Sequence, residues 1–152
     1  DDLVTGVQTC ALPIYGLLDA LDDVGAGAIT FSPLAQGMLT DRYVAGVPEE
    51  SRASEGKSLD PDWVNADVRT RLEGLARIAS NRGQSLAQMA IAWTLRDPRV
   101  TTTLIGASSR EQLVESVAAV NNLTFSAEEL ARIDEFAREA GIDLWREQSR
   151  HP

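Results

Sequence analysis

The chain has 152 residues, 43% of them hydrophobic, enough to bury one ordinary core. Its 14 basic residues against 23 acidic ones give a net charge of −9, which argues against nonspecific binding to nucleic acid or to an anionic membrane. One cysteine rules out an intrachain disulfide and a cysteine-cluster metal site, and no apolar run approaches the ~20 residues that span a bilayer, so a cytoplasmic protein without a metal is expected.

Residues 1–14 show no helical or strand period. Within them Val4-Thr-Gly-Val-Gln-Thr-Cys-Ala-Leu-Pro-Ile14 resembles a translated sequencing-library adapter. Residues 1–14 are therefore expected to be foreign to the gene, with 15–152 the C-terminal piece of a longer reading frame. On that reading Cys10 carries no functional weight, and His151 stands next to the end of the chain.

From Tyr15 the periodicity becomes regular. Leu17, Leu18, Leu21 and Val24 fall on one face of a short helix that Gly25 and Gly27 end. This Gly-x-Gly precedes the next strand and lacks a third glycine, so it is no dinucleotide fingerprint. Ala28 to Phe31 reads as a buried strand. It breaks at Ser32-Pro33, because proline cannot donate to a sheet ladder and restricts the residue before it. The loop that follows opens at the strand's C-terminal end, where α/β proteins hold their ligands.

Val44 to Asp62 is a long polar excursion with Gly46, Pro48, Gly56 and Pro61, the composition of a lid or a disordered loop. Arg52 within it could form a forked, charge-assisted pair with an anion, and Trp63 is expected to pin its end. Val68, Leu72, Leu75, Ala76 and Ala79 predict a helix that stops at Asn81-Arg82-Gly83. Ser85 and Gln88 have capping-box spacing at the head of a helix with Leu86, Met89, Ala90 and Trp93 on its core face. Val100 to Ile105 is rich in β-branched residues and reads as a second buried strand. Ser109 with Gln112 repeats the capping-box spacing, with Leu113, Val117 and Val120 as the helix face, and Ser126 with Glu129 repeats it again before Leu130, Ile133 and Phe136. Gly106-Ala107-Ser108 stands at a helix N-terminus, where free N–H groups and the helix dipole favour phosphate; Ser108, Ser109 and Arg110 add donors.

Helices alternating with strands predict an α/β fold with a parallel sheet. Two parallel strands leave both edges open and cannot close, so the expected architecture is an incomplete (β/α)8 TIM barrel: its last two strands and their helices. In such a piece Ile29, Phe31, Leu104 and Ile105 would lack an opposing layer.

Ser32-Pro33-Leu34-Ala35-Gln36-Gly37, followed by Leu39-Thr40 and Arg42-Tyr43, resembles the seventh-strand loop of aldo-keto reductases. Leu104-Ile-Gly-Ala-Ser108, with Glu111-Gln-Leu and Glu115, resembles their eighth-strand site. The likeness runs from about Gly16 to the end and includes Gly83-Gln-Ser-Leu-Ala-Gln-Met-Ala90, Asn121-Asn-Leu-Thr-Phe-Ser126 and Leu144-Trp145. It is nearest to the subgroup holding L-glyceraldehyde 3-phosphate reductases and potassium-channel β subunits. The resemblance implies NADP(H) as cofactor. It places Phe31 against the nicotinamide and Ser32, Pro33, Leu34, Ala35 and Gln36 around the pyrophosphate. Arg42 and Arg52 would clasp phosphates. Gly106 and Ser108 would approach the adenosine phosphate, Ser108 at the 2′-phosphate, and Gln112, Glu115 and Ser116 would meet the adenine. The family usually has asparagine where this chain has Ser116, which shortens the reach and leaves one fewer hydrogen bond.

The family's catalytic Asp, Tyr, Lys and His come from the barrel's first half, and no residue here matches them, so no catalytic residue is assigned. The resemblance implies NADPH-dependent reduction of an aldehyde or ketone in the full-length protein, with a phosphorylated triose aldehyde or methylglyoxal as the suggested small-molecule partner and a homo-oligomer as the suggested assembly. The other readings are a nucleotide-sensing regulatory subunit and a nonfunctional gene fragment. By itself the chain is expected to be inactive.

Overall fold

The structure is a computed structural model describing residues 16–43 and 64–138. The adapter-like segment 1–14, the excursion 44–63 with Arg52 and Trp63, and the end of the chain with Leu144, Trp145 and His151 lie outside the described residues.

The elements in order are α1 (Leu17–Asp23), β1 (Ala28–Phe31), α2 (Ala66–Asn81), α3 (Leu86–Thr94), β2 (Val100–Leu104), α4 (Arg110–Val117) and α5 (Ala127–Phe136). Caps account for most helix starts. The Asn65 side chain accepts the Val68 N–H at 3.0 Å to open α2. Ser85 with Gln88, and Ser126 with Glu129, form reciprocal capping boxes at α3 and α5. At α4 the box is incomplete. Ser109 Oγ accepts from Gln112 N, but the Gln112 side chain bonds one residue earlier, at Ser108.

β1 and β2 pair in parallel, as the alternation of helices and strands predicts. Their register slips between Ala28 and Ile29. Ala28 pairs with Val100, Ile29 with Thr102, Thr30 with Thr103 and Phe31 with Leu104, so Thr101 has no counterpart on β1. Gly27 makes room for that extra residue, because a Cβ there would strike the Thr101 side chain.

Each strand's composition reads as buried, yet neither is covered on both faces, and the open side carries residues expected to lack an opposing layer. On β1, Ala28 and Thr30 are buried while Ile29 and Phe31 are exposed. On β2, Val100 is buried and Leu104 is exposed. Among the described residues the helices pack on one side of the pair. Ile105 is half-buried.

The main core lies between α2, α3 and α5. Val68, Leu72, Leu75 and Ile78 of α2 meet Leu86 and Met89 of α3 and Ile133 of α5, and Met38 reaches in from the loop after β1. Fully burying a side chain of this size contributes roughly 1.5–3 kcal/mol. Gly74 lets α5 approach, since a Cβ there would overlap the Phe136 ring. A smaller cluster of Leu18, Ala28 and Val100 holds α1 against the strands. The face predicted for α1 is only half used, as Leu17 and Val24 are exposed. The face predicted for α4 is likewise open: Leu113, Val117 and Val120 are all exposed.

Two polar clamps tie distant segments together. The Arg82 guanidinium, its side chain 3% exposed, donates to Glu129 at 2.8 Å, Gln84 at 2.9 Å, and the carbonyls of Asn122 at 3.2 Å and Thr124 at 3.0 Å. It also stacks 3.7 Å over Phe125. The Ser126 N–H, with help from Arg82, holds the Glu129 carboxyl below its ordinary range. At the start of β2, Arg99 bridges Asp97 and Asp19. Its hydrogen bonds push the Asp97 pKa down to about 2.

Candidate functional site

The ends of β1 and β2 are neighbours because Phe31 pairs with Leu104. Both strands therefore leave the sheet side by side, and their two junctions enclose a cleft of about 780 Å³. Each wall has its own local construction.

The first wall turns sharply. Ser32, Ala35 and Gln36 have φ values of 52°, 46° and 60°. This left-handed region costs a residue with a Cβ roughly 1–2 kcal/mol. The turn persists because the surroundings fix it. Ala35 N–H donates to Ser32 O at 3.0 Å, and Leu34 O accepts from both Gly37 N at 2.8 Å and Leu39 N at 3.1 Å. Thr40 Oγ1 donates to Gly37 O at 2.7 Å. Pro33 is buried, and Met38 anchors the loop in the main core. Asp41–Tyr43 then forms a single 3-10 turn.

The second wall is the segment from Leu104 into α4. Gln112 Oε1 accepts from Ser108 N and from Ser108 Oγ, both at 3.0 Å. Ser116 is buried, one helical turn further along. The first N–H groups of α4 point back toward Ser108, as at any helix start.

Most of the residues proposed from sequence meet here. Phe31, Ser32, Pro33, Leu34, Gln36 and Arg42 line one side, and Gly106, Ser108, Gln112, Glu115 and Ser116 the other. Ala35 does not line the cleft; its N–H closes the turn on Ser32 instead. Arg52 lies outside the described residues. The structure adds Gly37, Thr40, Asp41, Leu104, Ile105 and Ala107 from the two junctions, and Ala87 from α3. Thr40 belongs to the loop motif and Asp41 stands between its two parts, so the motif itself could have pointed to them. Ala87 had no such signal, because only tertiary packing brings α3 to the cleft.

This donor set suits an anionic ligand. Arg42 supplies a guanidinium, the serines supply hydroxyls and α4 supplies its positive end. Phe31, 51% exposed, presents a ring at the cleft's edge. Gly37 and Gly106 have open space where a Cβ would stand, so backbone there can be approached closely. Asp41 and Glu115 are the lining carboxylates, and among the described residues no group of three metal-ligating side chains occurs.

The Aldo/keto reductase family model matches residues 11–138. The chain belongs to the aldo/keto reductase family. It is 47% identical over 138 residues to L-glyceraldehyde 3-phosphate reductase of Escherichia coli K12, covering 88% of this chain and 40% of that protein. The protein of the same name from Escherichia coli O157:H7 is 48% identical over 138 residues with the same coverage. A protein of Schizosaccharomyces pombe, named as a voltage-gated potassium channel subunit beta, is 41% identical over 125 residues, which is 79% of this chain and 36% of that protein. The chain thus spans about two fifths of the length of the curated relatives it matches. None of the helices among the described residues is long and apolar enough to cross a membrane.

Proposed function

We propose that the chain is the last two strands and their helices of a (β/α)8 barrel and supplies the NADP(H)-binding half of an aldehyde or ketone reductase. The observation that carries this reading is the single cleft built from both strand-to-helix junctions at the C-terminal ends of parallel strands, in a chain of the aldo/keto reductase family. The C-terminal end is the face on which barrel enzymes hold their ligands. A phosphorylated triose aldehyde or methylglyoxal is the favoured carbonyl substrate, in keeping with the name carried by the two bacterial relatives. NADPH, when bound, supplies the hydride.

The chain's own residues bind and orient. Phe31 offers its ring to the nicotinamide. Ser32, Pro33, Leu34 and Gln36 wrap the pyrophosphate, with Ala35 holding their backbone in the turn, and Arg42 neutralises phosphate charge, joined by Arg52. Ser108 and the α4 N-terminus hold the 2′-phosphate, while Gln112, Glu115 and Ser116 meet the adenine. To serve the phosphate, Ser108 must turn its hydroxyl from Gln112 toward the anion. The proton for the carbonyl oxygen comes from the remainder of the full-length protein, so residues 15–152 alone are inactive. A nucleotide-sensing subunit is the second reading, favoured by the likeness to the channel-subunit protein.

The test is equilibrium binding of NADPH and NADH to the full-length protein. NADPH is expected to bind more tightly. Ser108→Ala and Arg42→Ala should each cost about tenfold or more in NADPH affinity, the range for a charge-assisted hydrogen bond. Equal dissociation constants for the two cofactors, unmoved by either substitution, would refute this assignment.

A further inference from the structure

We propose that Gln88, on α3 and outside the cleft, is a positioning residue that fixes the turn of α4 carrying Glu115 and Ser116. The inference rests on the cofactor reading of the cleft.

The Gln88 side chain divides its two ends between two elements. Its Oε1 accepts from Ser85 N–H at 3.0 Å, which completes the capping box of its own helix. Its Nε2 donates to the Glu115 carbonyl at 3.1 Å, across 27 residues of sequence. Glu115 stands in the last turn of α4, where carbonyls begin to run beyond the helix's own N–H donors. The chain there tightens from α4 into the 3-10 turn Ala118–Asn121. A backbone in such a transition has several ways to tilt, and the Gln88 amide selects one. The two cleft residues nearest that tie are Glu115 and Ser116, and Ala87, next to Gln88, also lines the cleft. Serine at position 116 is a short side chain, so its reach depends on where the backbone is held.

The two functions of the amide can be separated. A carboxylate accepts but cannot donate. Gln88→Glu therefore keeps the capping box, removes the bond to Glu115 and sets a carboxylate against that carbonyl, which drives the α4 turn away. Ser85→Ala does the reverse: it weakens the cap and leaves the Nε2 donor in place.

The experiment measures Tm and the dissociation constants of NADPH and 2′,5′-ADP for full-length wild type, Gln88→Glu and Ser85→Ala. Gln88→Glu is expected to weaken both ligands about three- to tenfold, the range for one hydrogen bond, while lowering Tm no more than Ser85→Ala does. Ser85→Ala is expected to lower Tm and leave both constants unchanged. If Gln88→Glu gives no folded protein, Gln88→Met, compared with Ser85→Ala, decides the same question. Wild type that binds neither ligand would bring down the cofactor reading and this inference with it. Wild type that binds, with Gln88→Glu binding equally well or Ser85→Ala losing as much affinity, would overturn the positioning role alone.

Discussion

Replacing Arg82 by methionine keeps most of its stem and removes its guanidinium. Four hydrogen bonds are lost, to Glu129, Gln84 and the carbonyls of Asn122 and Thr124, together with the stacking on Phe125. Removing one partner of a buried ion pair costs roughly 3–5 kcal/mol, much of it from the charge left behind. Here that remainder is softened. Glu129 is 33% exposed and still accepts from Ser126 N–H at 2.7 Å, and Asn122 O still accepts from Gln84 Nε2 at 3.2 Å. The expected loss therefore sits at the low end, about 3 kcal/mol. Equilibrium urea unfolding at neutral pH reads it as a lower midpoint at constant slope. Arg82→Lys should recover less than half, because an ammonium cannot span a carboxylate, an amide and two carbonyls from one plane. A loss under about 1 kcal/mol, or a lysine as good as the arginine, would refute the clamp.

Gly74→Ala forces a methyl into the Phe136 ring and should cost roughly 1–3 kcal/mol by the same measurement, with Phe136→Leu in the same chain restoring part of it. Asp97→Asn removes a carboxylate whose pKa in the folded chain lies near 2, below the ordinary 3.8. A depressed carboxylate stabilises the fold above its unfolded pKa, and that contribution disappears as pH falls through the folded value. The Tm deficit of Asp97→Asn should therefore be constant above about pH 4 and shrink toward pH 2; a deficit independent of pH would count against the Arg99 pairing.

The helices of the main core were legible in the sequence because a 3.6-residue apolar period and a reciprocal cap are local signals. Val68, Leu72 and Leu75 declare α2, and Ser85 with Gln88 declares the start of α3. The loop after β1 was legible through proline and through its motif. Other features depend on what the chain meets in space. β-Branched composition cannot reveal whether one face or two is covered; the exposure of Ile29, Phe31 and Leu104 was legible only through the incomplete-barrel reading, in which they lack an opposing layer. Leu113, Val117 and Val120 kept helical spacing although no described residue buries them. The displacement of Gln112 onto Ser108, the Arg82 clamp and the arrival of Ala87 at the cleft are tertiary events without a periodic trace.

The unmatched Thr101 has one more consequence. Side chains alternate along a strand, so Val100 and Leu104, four residues apart, would normally point the same way. The extra residue between them turns Val100 toward the helices and Leu104 toward Phe31 in the cleft. For this strand the count of residues is a stricter constraint than their identity. Exposed Thr101 and Thr102 leave room for exchange of side chains, whereas the loss or gain of one position would reverse the strand and carry the second wall of the cleft away from the first.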